Sequence, residues 1–190
     1  MIKDLVSKNR SFRRFHQDAA VSRDTLRELV DLARLSASAA NQQPLKYILS
    51  CNPDTNAVIF ATLSWAAALK DWPGPSEGER PAAYIIILED TQLSNPFLKC
   101  DVGIAAQSIL LGATEKGLGG CMIASIQREM LRGKFEIPTH LDIALIIALG
   151  TPKEEVVLED LIPSGSVNYW RDEAGVHHVP KRLLDDMIIG

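Results

Sequence analysis

The stretch from Asp101 to Ser125, DVGIAAQSILLGATEKGLGGCMIAS, decides the fold. Asp101 to Lys116 reads as a long helix with almost no charge before Glu115, stopped by Gly117. A helix that is apolar on nearly every face needs cover on every side. In a chain of 190 residues a partner subunit is a natural cover. After the glycines, Cys121 to Ile126 is a strand candidate, and Ile143 to Leu149 is another beyond a short helix at Arg128 to Phe135.

Upstream, Ala83 to Leu88 is a continuous isoleucine-rich run and therefore a buried strand. Leu45 to Cys51 forms a shorter one. A helix starts after Ser22 as N-cap, with Leu26, Leu29, Val30 and Ala33 on one apolar face. Asn56 to Lys70 is expected to be helical, while Trp72 to Pro81, with three prolines and two glycines, is irregular. The tail from Ile162 to Val179 reads as irregular and is followed by a short helix from Lys181 to Ile188. The sum is one α+β domain over 1–190, a mixed sheet flanked by helices. Residues 162–190 make an arm, and Tyr169 and Trp170 favour an arm laid across another surface.

Composition narrows the function. Hydrophobic residues make up 46% and charged residues 23%, which is ordinary globular usage. A net charge of -4 argues weakly against nucleic acid as the main partner, though one small phosphate needs only a few local cations. Met1 to Asn9 lacks the apolar stretch of a signal peptide, and the longest apolar run is far too short to span a bilayer. Cys51, Cys100 and Cys121 form no CxxC pair and suit a reducing compartment. The expectation is a cytoplasmic protein with no membrane segment.

Four clusters offer chemistry. Arg10-Ser11-Phe12-Arg13-Arg14 puts three arginines and a hydroxyl in five residues, either a fork for a phosphate or a solvated basic patch. Phe12 and Phe15 require part of it to be buried; Arg14 is assigned to the surface. Ser38-Ala39-Ala40-Asn41-Gln42-Gln43-Pro44 combines small residues with amides that both donate and accept, suited to a flat heterocycle or simply to a polar loop. Gly117-Leu118-Gly119-Gly120 follows a helix instead of opening one, so it is no dinucleotide fingerprint, and any nicotinamide is a visiting substrate. Lys181-Arg182 at a helix start opposes the macrodipole unless an anion lies between them. His16, His140 and the His177-His178 pair lack metal-ligand spacing and read as packing or surface residues.

In this order the pieces resemble the nitroreductase family. The shared motifs are Arg10-Ser11-Phe12-Arg13; Ser38, Asn41 and Gln43-Pro44; Asp101, Gly103, Ala105 and Gln107; Gly117-Leu118-Gly119; and Lys181-Arg182. The resemblance implies FMN held non-covalently at the interface of a domain-swapped homodimer. It assigns Arg10, Ser11 and Arg182 to the phosphate and ribityl chain, with Lys181 in the same basic pair. Arg13 falls to the ring edge, and Ser38, Asn41 and Gln43 belong to the flavin-binding set. Main-chain groups of Ala124 and Ser125 approach the reactive edge. Asn9 replaces an arginine that many relatives carry, and Ala124-Ser125 stand where several carry Glu-Gly.

The implied reaction is ping-pong, from NAD(P)H to a small acceptor such as a nitroaromatic or quinone, with no certain catalytic side chain and Arg13 acting electrostatically. The Trp72 to Pro81 loop is the expected pocket rim. A module that stores or senses FMN without turnover would carry the same binding residues.

Overall fold

The computed structural model describes residues 1–69, 71–93 and 96–190. The elements run α1 (Ile2–Lys8), β1 (Phe15–His16), α2 (Arg23–Leu35), β2 (Leu45–Ser50), α3 (Pro53–Phe60) and β3 (Ala83–Asp90). They continue with α4 (Leu98–Glu115), β4 (Gly119–Ile123), α5 (Arg128–Phe135) and β5 (Leu141–Pro152). A second group closes the chain: β6 (Val156–Asp160), β7 (Trp170–Arg171) and β8 (His177–Lys181).

The main sheet has the order β1-β5-β3-β2, with β4 also on β5. Its named strands all pair antiparallel. Parallel character, expected of a mixed sheet, enters only through the Ser11–Gly120 bridge and the smaller sheet, where β6 runs parallel to β8. One edge of β5 is shared end to end: β4 pairs with Ile146 to Gly150 and β1 with Thr151 and Pro152.

Both faces of this sheet are covered, which is why β3 reads as an unbroken apolar run. Ile85 and Ile87 pack with Leu26, Leu29, Ala106 and Ile109 on the α2–α4 side. Tyr84, Ile86 and Leu88 pack with Ile59, Trp65 and Leu131 on the other. Helix α2 starts as expected, with the Thr25 N–H donating to Ser22 Oγ at 3.0 Å. Gly117 stops α4 in the left-handed region at φ 74°.

Three expectations are corrected. Helix α3 ends at Phe60 instead of running to Lys70, which lies outside the described residues. There Thr62 Oγ1 donates to the Ile59 carbonyl, and Leu63 turns away to bridge Ile126. The tail is irregular over 162–169 and 172–176, as expected, but Trp170–Arg171 and His177–Lys181 are strands that join β6 in a three-stranded sheet. No helix begins at Lys181, which ends β8; only a single 3-10 turn, Leu184–Asp186, follows. Pro180 favours extended backbone before it, and β8 gains its bonds by pairing with β6 and β7. No helix among the described residues is long and apolar enough to cross a membrane.

Candidate functional site

The segment between α1 and β1 is threaded against β4. Ser11 bridges Gly120, and the Phe12 N–H donates to the Gly120 carbonyl at 3.0 Å. A Cβ at Gly120 would stand 2.7 Å from the Ala148 carbonyl oxygen, so this glycine is required by the close approach of β5. Sequence reading saw only the helix stop.

The three arginines then part company. Arg14, expected at the surface, is half-buried: Nε and Nη2 grip Glu79 at 2.7 and 2.6 Å, and Lys153 joins at 3.2 Å. The Arg14 guanidinium chiefly holds the Glu79 carboxyl down at about 2. Glu154, with a side chain 1% exposed, accepts from the backbone N–H groups of Arg13 and Arg14 and from Arg171 Nη2 at 2.7 Å. Arg13 itself is 8% exposed. Its Nη1 donates to Ser11 O at 3.1 Å and meets His177 Nε2 at 3.2 Å, and its guanidinium lies 4.6 Å from the centre of the Tyr169 ring. Among the described residues no carboxylate pairs with that guanidinium. A buried cation without a counterion is costly, so the position suits an anionic ligand.

Two cavities meet at Arg13, sharing Met122 and Tyr169 as well. One, of about 310 Å³, has Arg10, Ser11, Gln107, His177 and Lys181 in its wall. The other, of about 170 Å³, is walled by Ser64 to Ala67 and Cys121 to Ser125. Three buried donors here have no partner among the described residues, Arg10 Nε, Trp65 Nε1 and His177 Nδ1, the last because His177 Nε2 accepts from Arg13. The rim expected from Trp72 to Pro81 is supplied instead by Ser64 to Ala67. Ser64 N–H donates to the Ser125 carbonyl at 3.0 Å, and Gly74 packs behind Trp65.

Arg10, Ser11, Arg13, Ala124, Ser125 and Lys181 thus come together. Arg182 is exposed just past β8 and lines neither cavity. The helix-start argument for an anion at Lys181-Arg182 therefore lapses. Ser38 and Gln43 stand elsewhere, in a cavity of about 360 Å³ with Arg34, Tyr47 and Asp101. Asp101, 4% exposed, accepts from Ser38 Oγ at 3.0 Å and from Ala39 N–H at 2.9 Å, and Ser38 Oγ in turn accepts from Gln43 N–H at 3.0 Å. This clamp holds Ala40, Asn41 and Gln43 at positive φ of 50°, 54° and 50°. Asn41 is exposed on that loop, its carbonyl accepting from Gln43 Nε2 at 3.1 Å.

His177, expected as arm packing or a surface residue, is 1% exposed against Arg13. Burial, then the charges of Arg13 and Arg171, push its pKa down to about 4. Its neighbour shifts the other way: His178 is bonded to Glu159 at 2.5 Å and Asp172 at 3.3 Å, and stacks on Trp170. Neutral His177 is favoured by the fold, so its contribution is whole above the unfolded value of about 6.5 and is lost as pH falls towards 4. Urea stability should therefore drop between pH 6.5 and 4.5, by at most about 1.4 kcal/mol per pH unit for this proton. The drop should be smaller in His177→Gln; an identical slope in the variant contradicts the assignment.

An antiparallel-sheet α+β domain with a cationic, donor-rich cleft is the class of protein this geometry defines. The chain belongs to the Nitroreductase family, whose model matches residues 6–151. It is 28% identical over 197 residues to an NADH dehydrogenase of Thermus thermophilus, covering 89% of this chain and 95% of that protein. Its fold is that of a nitroreductase family protein from Streptococcus pneumoniae TIGR4, with a TM-score of 0.70 at 19% identity over 100% and 99% of the two chains. An FMN-dependent nitroreductase from Clostridium difficile R20291 gives a TM-score of 0.65 at 23% identity, over 82% of this chain and 89% of that one.

Proposed function

We propose that this protein is an FMN-dependent oxidoreductase that moves electrons from NAD(P)H to a small organic acceptor, such as a nitroaromatic or quinone, by a ping-pong mechanism. The buried, carboxylate-free Arg13 guanidinium where two cavities meet carries the reading. Family membership and the names of the Thermus and Clostridium proteins support it. FMN, when bound, supplies reversible two-electron transfer. Arg10, Ser11 and Lys181 serve its phosphate and ribityl end, and the unpartnered Arg10 Nε is a donor available to a phosphate oxygen. Arg13 offers a fixed charge to an anionic ring, while Ala124 and Ser125 line the ring's end of the cleft. His177 and Tyr169 hold the Arg13 guanidinium in place.

The same proposal includes a homodimer with exchanged arms. On one chain, Ser38, Asn41 and Gln43 lie apart from the Arg13 cleft, so a partner subunit's loop would complete the site. Surfaces for this exist. Ile104 on α4 and Ile2 and Val6 on α1 are exposed, and so are Leu183, Leu184, Met187, Ile188 and Ile189 in the tail. A groove beside β2 presents Val30, Leu32, Leu45, Tyr47 and Leu49 to such a tail, and Arg182 travels with the exchanged segment. The three thiols are free, in keeping with a cytoplasmic setting.

The test begins with the purified protein, expected to be yellow, dimeric by sedimentation, and to release FMN on denaturation. Removing residues 183–190 should lower both dimer and flavin content. Initial-rate lines at several fixed acceptor concentrations should be parallel. Release of FAD, or no flavin after reconstitution, refutes the cofactor assignment. Bound flavin that neither nicotinamide bleaches leaves a storage module instead.

A further inference from the structure

A further cavity, of about 250 Å³, opens between α3, the start of β3 and the loop after β1. It shares no lining residue with the Arg13 cleft. Its polar groups form an unusual set. Tyr84 is fully buried, yet its hydroxyl has no hydrogen-bond partner among the described residues. Arg80 stacks 4.4 Å above the centre of the Phe60 ring, its Nε is buried without a partner, and its guanidinium makes no ion pair among the described residues. Gln17 gives its side-chain oxygen to the backbone N–H groups of Gly78 and Arg80, at 2.8 and 3.1 Å, leaving its amide N–H groups uncommitted among the described residues. Asn56 is spent on both sides, accepting from Ser50 and donating to the Ala82 carbonyl.

The unused hydrogen-bonding capacity is therefore donor capacity: a guanidinium N–H, a phenol O–H and an amide. Burial holds the Tyr84 phenol far above its ordinary range, so the hydroxyl keeps its proton. Unsatisfied buried donors are uncommon and call for an acceptor. Asp18 is the only carboxylate in the wall among the described residues, and it is exposed, where water screens it. Pro53, Ala57 and Phe60 supply the apolar part of the wall. The volume equals roughly eight waters at about 30 Å³ each, below the usual range of drug-sized pockets.

We propose that this cavity binds a small organic carboxylate, its oxygens on Arg80 Nε and the Tyr84 hydroxyl and its carbon chain against Phe60. The site is independent of any flavin chemistry.

The test uses the purified full-length protein, titrated with sodium propionate and sodium benzoate against sodium chloride at equal ionic strength. The readout is the Nε–H resonance of Arg80, assigned by its loss in Arg80→Lys. A saturable shift with a carboxylate, absent with chloride, is expected. Tyr84→Phe loses no bond on folding, so its unliganded melting temperature should not fall. Its carboxylate affinity should fall tenfold or more, as loss of a hydrogen bond to a charged group implies. Asp18→Asn should bind more tightly. In Arg80→Gln the rise in melting temperature caused by benzoate should vanish. A shift that chloride reproduces, one that never saturates, unchanged affinity in Tyr84→Phe, or weaker binding in Asp18→Asn would each overturn the proposal.

Discussion

Replacing Arg13 by glutamine is expected to slow the bleaching of bound flavin by NADH or NADPH about 100-fold, with a smaller loss of FMN affinity. Removing one fixed donor aimed at developing charge in a water-poor site typically costs 10²- to 10³-fold in rate. Arg13 is the arginine of its segment whose guanidinium is buried with no carboxylate, since Arg14 is committed to Glu79. Glutamine keeps an N–H for Ser11 O while deleting the charge. Anaerobic stopped-flow absorbance at matched FMN occupancy measures the rate, and fluorescence titration the affinity. An unchanged bleaching rate, or an affinity loss as large as the rate loss, would remove Arg13 from its electrostatic role.

Glu154→Ala should lower the stability of the flavin-free protein by about 3–5 kcal/mol, the range for breaking a buried ion pair on one side only. The carboxylate joins three donors from two distant parts of the chain, Arg13 N–H, Arg14 N–H and Arg171 Nη2. Its removal leaves the partly buried Arg171 charge, 16% exposed, without its counterion. Glu154→Gln, which keeps an acceptor, should lose less. Urea unfolding at one fixed protomer concentration gives the value, because any self-association adds its own concentration dependence. A loss under about 1 kcal/mol would mean that the smaller sheet is not fastened to the larger one through this residue.

Local patterns carried most of the architecture in the sequence. The unbroken isoleucines of β3 announce a strand covered on both faces, the near-chargeless α4 announces a helix packed against the sheet with Ile104 left exposed on its far side, and Ser22 and Gly117 mark helix ends by their own chemistry. Long-range pairing was less visible. Apart from Pro180, nothing local tells the His177–Lys181 segment to extend; the pairing with β6 and β7 holds it there. Glu154 sits in the run Lys153-Glu154-Glu155, which reads as solvated charge until Arg171 folds onto it. Gly120 and Asp101 are similar cases: a neighbouring backbone and a distant loop give them their roles. The motif residues Arg10, Ser11 and Arg13 were legible as a group, but which arginine remained free was not.

The Asp101 clamp on Ser38 and Ala39 has a consequence for assembly. The 38–43 loop is already set in its left-handed turns within a lone subunit, templated by that subunit's own α4. If it enters a neighbour's cleft, it does so as a rigid tooth and does not order on contact. Association then sacrifices little chain entropy, and docking can proceed between subunits that are fully folded. Folding and pairing become separable events, so two differently labelled preparations should trade subunits without either one unfolding.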